Sequence, residues 1–204
     1  MKTKTKICGL TREEDVSLAV QLGYSAIGLN FFESSPRYLS VEQATKLSQL
    51  IPSSVLSVGV FVNAEEAYVR ERIEACNLNA VQFHGDESIE FCELFKEVIT
   101  IKGVRLKPGV DISPFSKLEY LLVDAYDESE FGGTGQLIPE SLLAAYQFET
   151  SRMILAGGLR ADNVLAKLQK WNPAWVDVAS GVESEPGIKC HKKMKDFIDA
   201  VQGI

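Results

Sequence analysis

A cysteine ends the first apolar run of the chain, in the segment "KICGLTREED", where Cys8 is followed by a glycine and a helix-start pattern. A free cysteine is often a small and inert core residue. In parallel α/β proteins, however, reacting groups stand at the carboxyl ends of strands and on the loops that follow. A thiol displayed there would be available for chemistry. The residues alone leave both interpretations of Cys8 open.

Two glycine-rich segments near the C-terminus have the composition of a phosphate site. Gly157 and Gly158 stand in "LAGGLRADNV", and Ser180 and Gly181 stand in "VASGVESEPG", each after an apolar run. Glycine has no Cβ, so the backbone N–H groups of such segments can approach a phosphate closely. In parallel barrels the loops after strands 7 and 8 often bind phosphate in this way. We therefore predict that these four residues bind a phosphate group.

The apolar runs that precede these residues alternate with helical or loop segments along the chain. They are rich in Val, Ile and Leu, which is typical of a parallel sheet covered by helices. The eight candidates are "TKIC", "AIGLNFF", "LSVGVFV", "AVQFHG", "VITIKGVRL", "YLLVDA", "MILAGGL" and "WVDVASGVE". We predict an α/β fold in which residues 1–204 form a single, compact (β/α)8 TIM barrel. A doubly wound sheet is the alternative, but strand 1 lacks its G-x-G-x-x-G turn, and eight strands would make a wide open sheet.

Capping signals indicate where the helices begin and end. Thr11, Ser40 and Asn63 each precede a Glu or Gln by three residues, which predicts three capping boxes, and Gly23 fits the end of the first helix. Helical periodicity also marks residues 86–97, 139–148, 161–171 and 191–201. The segment 111–119 contains Pro114, so we predict a shortened helix after strand 5.

Alternation of side chains along strand 1 places Lys6 and Cys8 on one face. The isoleucine between them belongs against the helices, so both side chains are expected to point into the barrel. The same reasoning brings Asp124, near the end of strand 6, to the shared mouth of the barrel. Asp177 in strand 8 has a structural interpretation, as a buried counterion for Lys6 or Lys102, beside a chemical one.

Composition restricts the partners of the chain. Its 204 residues carry a formal net charge of −7 without a basic stripe, which argues against nucleic acid or an anionic membrane as the main partner. There is no signal-peptide pattern, no long apolar run, no C-x-x-C pair and no metal or dinucleotide motif. We expect a cytoplasmic protein that needs no cofactor and binds a small phosphorylated ligand, as a monomer or homodimer.

The quoted segments together resemble the phosphoribosylanthranilate isomerase family of tryptophan biosynthesis. The resemblance covers almost the whole chain and rests on "KICGLT", "SPRYLS", "VGVFVN", "QFHGDE", "LLVDA" with "FGGTG", "LAGGLRADNV" and "VDVASGVESEPGIK", in this order. The family is a compact (β/α)8 barrel that converts N-(5′-phosphoribosyl)anthranilate to 1-(2-carboxyphenylamino)-1-deoxyribulose 5-phosphate without a cofactor. The resemblance implies the same fold and reaction for this chain.

The resemblance further implies an Amadori rearrangement with Cys8 as general base and Asp124 as general acid. Proton transfer is efficient when a catalytic pKa lies near the working pH, so we expect the pKa of Cys8 below its ordinary value. Arg37 resembles the residue that holds the anthranilate carboxylate, and a guanidinium suits this task because it can form a bidentate pair with a carboxylate. The alternative is that Arg37 is a solvated arginine of the loop. Gln82 and His84 are expected to line the pocket, although His84 also fits a rim position.

The chain departs from the family pattern in three places, none of them at the implied acid or base. The segment from Gln136 to Pro139 replaces an aromatic-acidic-tryptophan turn, Ala179 replaces a frequent serine, and Cys190 replaces a frequent aspartate. Two other functions stay open. One is the isomerase of histidine biosynthesis, whose first strand ends in aspartate and whose substrate carries two phosphates; the other is a barrel that binds a phosphorylated ligand without catalysis.

Overall fold

A computed structural model of the protein describes residues 3–125 and 137–203. In this part of the chain eight parallel strands form a closed barrel in sequence order, and β1 pairs with both β2 and β8. The strands are β1 (Lys4–Cys8), β2 (Ala26–Asn30), β3 (Leu56–Phe61), β4 (Ala80–Phe83), β5 (Ile99–Leu106), β6 (Tyr120–Ala125), β7 (Met153–Leu155) and β8 (Trp175–Val178). The predicted barrel is thereby confirmed. The segment "FGGTG" and Gln136 lie outside the described residues.

Helices follow most of the strands and cover the barrel. The α-helices of the described residues are α1 (Glu13–Leu22), α2 (Val41–Ser48), α3 (Glu66–Ala75), α4 (Ile89–Cys92), α5 (Glu140–Ala144), α6 (Val164–Trp171) and α7 (His191–Gln202). Single 3-10 turns lie at Ser113–Phe115, Thr150–Arg152 and Ser180–Val182. The turn Ser113–Phe115 stands where the sequence predicted a shortened helix after strand 5. None of the described helices has the length and apolarity that a membrane span requires.

A small antiparallel hairpin interrupts the alternation after β8. It consists of β9 (Glu183–Glu185) and β10 (Ile188–Lys189). The sequence does not predict this hairpin, because the last apolar run extends as one strand candidate through residue 183. Cys190 N–H donates to the carbonyl of Val182, which returns the chain from the hairpin to the barrel before α7 begins.

The apolar side chains form two layers, as alternation along the strands requires. Residues that point into the barrel pack as one buried cluster, which is Ala26, Val58, Ala80, Ile101, Leu122, Ile154, Ala156 and Trp175. A larger cluster that includes Ile7 lies between strands and helices. Lys6, on the opposite face of β1 from Ile7, is 1% exposed and lies inside the barrel, as predicted. The interior below the strand ends is therefore filled with side chains.

One of the three predicted capping boxes is present. The Ser40 hydroxyl accepts from the backbone N–H of Gln43, and the Gln43 side chain accepts from the backbone N–H of Ser40. The boxes predicted at Thr11 and Asn63 are wrong, because α1 and α3 begin at Glu13 and Glu66 without a side-chain cap. The predicted end of α1 at Gly23 is confirmed by its left-handed conformation, with φ of 83°.

Two helices are shorter than their periodicity suggested. Residues 86–97 contain only α4, and residues 139–148 contain only α5. In the first of these segments the Glu87 carboxylate accepts from the backbone N–H groups of Gly85 and Asn63. This carboxylate ties the loops after β4 and β3 together, so the chain turns there before α4 begins.

Candidate active site

A cavity of about 490 Å³ opens at the carboxyl ends of the barrel strands. The structure brings all nine residues that the sequence predicted for a site to its wall: Cys8, Arg37, Gln82, His84, Asp124, Gly157, Gly158, Ser180 and Gly181. They belong to six of the eight strands or to the loops that follow them. Closure of the barrel therefore gathers side chains that are far apart in the sequence.

Cys8 ends β1 and is partly exposed to the cavity. The neighbouring residue on β2 is Gly28, where a Cβ would lie 2.7 Å from Cys8 Sγ and 3.2 Å from Lys6 Nζ. The missing side chain thus leaves room for the thiol beside the ammonium. Lys6 Nζ donates to Asp177 Oδ2 at 2.9 Å, which confirms Asp177 as a buried counterion of Lys6. The alternative partner Lys102 pairs with Glu87 instead.

The charges around Cys8 oppose one another. Burial raises the pKa of the thiol, the nearby Lys6 lowers it, Asp177 raises it and Lys189 lowers it. The result lies above the ordinary value, so the expectation of a lowered thiol pKa is wrong. Burial disfavours the charged thiolate more than the two lysines stabilise it.

Asp124 lies near the end of β6, across the cavity mouth from Cys8. Its Oδ1 accepts from the backbone N–H of Ala125 at 2.8 Å, and its Oδ2 lies 3.3 Å from His84 Nε2. Gln82 Nε2 lies 3.0 Å from His84 Nδ1. An amide nitrogen only donates, so Nδ1 accepts, and the proton of the neutral ring is on Nε2, facing Asp124. A Cβ at Gly103 would lie 2.4 Å from the same ring, which explains a glycine there.

Several buried polar atoms at this cavity lack a hydrogen-bond partner within residues 3–125 and 137–203. They are Gln82 Oε1 and Asp177 Oδ1, and His84 Nε2 has only the contact with Asp124 Oδ2 at 3.3 Å, which is not a hydrogen bond by its geometry. Buried polar atoms are normally paired, and an unpaired one costs free energy. All three atoms belong to residues of the cavity wall, where the polar groups of a bound ligand would meet them.

Arg37 is buried in the loop after β2 and holds a defined position. Its Nε and Nη2 donate to the two carboxylate oxygens of Glu183, at 2.9 and 2.7 Å. Its aliphatic stem crosses Gly9, where a Cβ would lie 2.4 Å from Arg37 Cδ. Gly9 has φ of 72°, so glycine suits this position for its backbone as well. The alternative of a solvated loop arginine is therefore wrong.

The predicted phosphate segments present backbone donors at the cavity wall. Gly157 and Gly158 have φ of 80° and 59°. A Cβ at Gly181 would lie 1.9 Å from the carbonyl oxygen of Leu159, so this glycine lets the loops after β7 and β8 touch. The N–H groups of Gly157, Gly158, Ser180 and Gly181 donate to no acceptor in the part of the chain that the structure describes. This arrangement suits an anion with several acceptor oxygens.

Glu183 and Lys189, which contact Arg37 and Cys8, were missed by the sequence analysis. Both stand in the quoted segment "VDVASGVESEPGIK", but they lie beyond the glycines to which that segment drew attention. Their partners lie 146 and 181 residues away in the chain. The segment carries four charged residues, Asp177, Glu183, Glu185 and Lys189, and nothing in their spacing distinguishes Glu183 and Lys189 from the others.

The chain as a whole is similar to known proteins. A family model described as N-(5'phosphoribosyl)anthranilate (PRA) isomerase matches residues 5–200. The chain belongs to this family. It is 42% identical over 210 residues to the N-(5'-phosphoribosyl)anthranilate isomerase of Nitrosospira multiformis, a match that covers 98% of this chain and 97% of that protein.

Solved structures of PRA isomerases share the fold. The chain is 35% identical to the phosphoribosyl anthranilate isomerase of Thermotoga maritima, with a TM-score of 0.89 and coverage of 99% and 100%. A PRA isomerase in complex with reduced 1-(o-carboxyphenylamino)-1-deoxyribulose 5-phosphate gives 34% identity, a TM-score of 0.84 and the same coverage. As a member of the PRA isomerase family, the chain is an isomerase of tryptophan biosynthesis.

Proposed function

We propose that this isomerase performs the Amadori rearrangement of N-(5′-phosphoribosyl)anthranilate to 1-(2-carboxyphenylamino)-1-deoxyribulose 5-phosphate, with Cys8 as general base and Asp124 as general acid. One observation carries the proposal. A thiol and a carboxyl group line the same cavity from β1 and β6, while unpaired backbone donors line it from the ends of β7 and β8. An acid, a base and an anion site are the parts that this reaction needs.

The two ends of the substrate would be held by different loops. The phosphate would accept from the N–H groups of Gly157, Gly158, Ser180 and Gly181. The anthranilate carboxylate would lie against the Arg37 guanidinium, which favours a planar anion. Between these anchors the ribose would lie over the mouth of the barrel, where Cys8 and Asp124 reach different atoms of the sugar.

The reaction then needs two proton transfers. The Asp124 carboxyl donates a proton to the ring oxygen, the bond between C1′ and that oxygen breaks, and the nitrogen lone pair forms a Schiff base. The Cys8 thiolate removes the proton from C2′, and the electron pair of the broken C2′–H bond forms the enolamine. The enolamine then tautomerises to the ketone. The Nε2–H of His84 faces Asp124 and stabilises the carboxylate that remains. Lys6 stabilises the thiolate.

A fluorescence assay that follows the loss of phosphoribosylanthranilate tests the proposal. Replacement of Cys8 by serine keeps the shape but puts a far weaker acid in place of the thiol, so kcat should fall by about 10² to 10⁴, the usual contribution of one general base. Asp124→Asn removes the donated proton and should lower kcat while KM stays within about threefold. If the Cys8→Ser variant kept more than about a tenth of wild-type kcat, Cys8 would be an inert residue of the cavity wall and not the general base.

The bisphosphorylated aminoimidazole substrate of histidine biosynthesis serves as the control in the same experiment. Turnover of that compound at a comparable rate would contradict the proposed substrate. Binding of phosphoribosylanthranilate without turnover would instead support a barrel that has lost catalysis.

A further inference from the structure

Arg37, Glu183 and Lys189 form a buried charged cluster beside the active-site cavity. Glu183 is 6% exposed and Lys189 is 2% exposed. The Glu183 carboxylate accepts two hydrogen bonds from Arg37 and one from Lys189 Nζ, the last at 2.7 Å. Burial by itself raises the pKa of Glu183, but the hydrogen bonds and charges of Arg37 and Lys189 outweigh it and lower the pKa below its ordinary value. Glu183 is therefore an anion that two cations share.

Lys189 connects this cluster to the strand that carries the thiol. Its Nζ also donates to the carbonyl of Cys8 at 2.7 Å and to the carbonyl of Ala179 at 3.2 Å. With Glu183 these acceptors use all three N–H donors of the ammonium. The ends of β1 and β8 are thus joined through one buried side chain.

The hairpin β9–β10 holds Glu183 and Lys189 in place. Thr11 donates to the carbonyl of Gly187, and Arg12 donates to the carbonyl of Lys189. The backbone N–H of Lys189 donates to Asp15 at 3.3 Å. These contacts dock the hairpin on the loop after β1, so the carboxylate of Glu183 has a fixed position when Arg37 reaches it.

We propose that Glu183 is a positioning residue, which aims the Arg37 guanidinium at the substrate carboxylate and links it through Lys189 to the Cys8 backbone. This inference rests on the proposed role of Arg37. A planar guanidinium that is held along one edge by a bidentate carboxylate keeps a single orientation. Burial lowers the pKa of Lys189, although Glu183 opposes this effect. With Lys189 protonated, the side chains of the cluster carry two positive charges and one negative charge, which favours an anion beside Arg37.

Steady-state kinetics of the Glu183→Gln variant test this inference. A glutamine amide has one acceptor oxygen and an NH2 group that meets the donors of Arg37, so the bidentate pair is lost. We expect KM for phosphoribosylanthranilate to rise about tenfold or more, with a smaller change in kcat, because ground-state binding of the carboxylate is weakened. A purely structural role would lower the amount of active enzyme and leave KM unchanged.

A double-mutant cycle with Arg37→Ala separates the two proposals. If Glu183 acts through Arg37, the Glu183→Gln change should alter KM by less than about twofold when Arg37 is already alanine. An equal rise of KM in both backgrounds would overturn the inference. The inference would also be overturned if KM rose for Arg37→Ala but stayed unchanged for Glu183→Gln. An unchanged KM for Arg37→Ala would overturn the proposed role of Arg37, and the inference would fail with it.

Two further variants guard against a general loss of stability. Glu183→Gln combined with Lys189→Met removes one buried charge of each sign, so it should retain the fold better and still show the raised KM. Glu87→Gln is the matched control, because Glu87 is also a buried glutamate that holds a buried lysine and two backbone N–H groups. We expect it to lower the melting temperature with KM within about threefold. A raised KM of the same size in this control would overturn the inference.

Discussion

Cys8 lies between charges of both signs, so its ability to accept a proton is set by identifiable neighbours. Lys6 and Lys189 favour the thiolate, whereas burial and Asp177 favour the thiol. The raised pKa of Cys8 makes the thiolate a strong base that is present in a small fraction at neutral pH. A rate that depends on this thiolate should therefore rise as the pH is raised toward the pKa of the thiol.

Two substitutions should move this pH dependence in opposite directions. Asp177→Asn removes the anion near Cys8, lowers the thiol pKa and should shift the limb of kcat/KM that belongs to Cys8 to lower pH. Lys6→Met removes a cation and should shift the same limb to higher pH. A profile of kcat/KM against pH measures both shifts. It is recorded below the melting temperature of each variant, because each substitution leaves a buried charge unpaired. Shifts of the same sign would contradict the assignment of this limb to Cys8.

The sequence indicated the residues at the strand ends and the pairing of Asp177 with Lys6, but not the partners of Arg37. Cys8 and Asp124 stand at predictable places, since each follows an apolar run and alternation sets its face. The pair of Arg37 and Glu183 joins residues 146 positions apart, and no local pattern encodes such a contact. The prediction of a lowered pKa for the Cys8 thiol was wrong for the same reason, because the extent of burial depends on the whole barrel.

At the scale of elements, α2 follows the loop that carries Arg37, and its first turn is fixed by the capping box of Ser40. Ser40→Ala removes an acceptor for the N–H of Gln43 and should lower the free energy of unfolding by about 1 kcal/mol, as is usual for a lost N-cap. Urea denaturation followed by circular dichroism measures this change. Ser48→Ala, in the last turn of the same helix, is the control and should stay within about 0.5 kcal/mol. Equal losses for both serines would show that the cap contributes nothing of its own.

The other two capping signals failed because distant groups bind the same side chains. The Thr11 hydroxyl donates to the carbonyl of Gly187, and the Asn63 side chain accepts from the backbone N–H of Asp86. Asn63 also has φ of 49°, a left-handed conformation that turns the chain away from a helix start. A capping box is a local preference of modest size, and tertiary hydrogen bonds can replace it.

At the scale of the whole molecule, a phosphate that bridges the ends of β7 and β8 should stabilise the closed barrel. A ligand that binds only the native state raises stability by RT ln(1 + [L]/Kd), about 2.7 kcal/mol at a hundredfold excess over Kd. We expect inorganic phosphate to raise the melting temperature and to inhibit competitively, with chloride at equal ionic strength as the salt control. Melting curves over a phosphate titration measure this effect.

A pair of glycines makes this prediction sharper. Gly157 and Gly109 have φ of 80° and 81°, so valine should strain the backbone at either position to a similar degree. Gly109 has nothing within 4 Å of its Cβ position and does not line the cavity. Gly157→Val should lose the response to phosphate and raise KM, whereas Gly109→Val should keep both. Retention of the phosphate response in Gly157→Val would remove this residue from the phosphate site.

The barrel itself was predictable because eight aliphatic runs in regular alternation with helices have few other solutions. The hairpin β9–β10 was not, since its strands of three and two residues carry no periodicity that can be recognised. Its hydrogen bonds to the loop after β1 form only when β8 has closed the barrel beside β1. A hairpin of this kind, which is held by contacts that form on closure, has no signal in a single segment of sequence.

The raised pKa of Cys8 also bears on how long the enzyme survives in an oxidising medium. Peroxides attack thiolates far faster than thiols, and the first product, a sulfenic acid, no longer removes protons as a base does. Burial raises the pKa of the Cys8 thiol, so at neutral pH the group that the proposed reaction would use is mostly in its less reactive, protonated form. Cys76 and Cys92 are buried, unlike the partly exposed Cys8, and burial raises the pKa of Cys92 to about 11. If Cys8 is the proposed base, a higher pH would increase the thiolate fraction, and the reaction rate and the rate of peroxide damage at Cys8 would rise together.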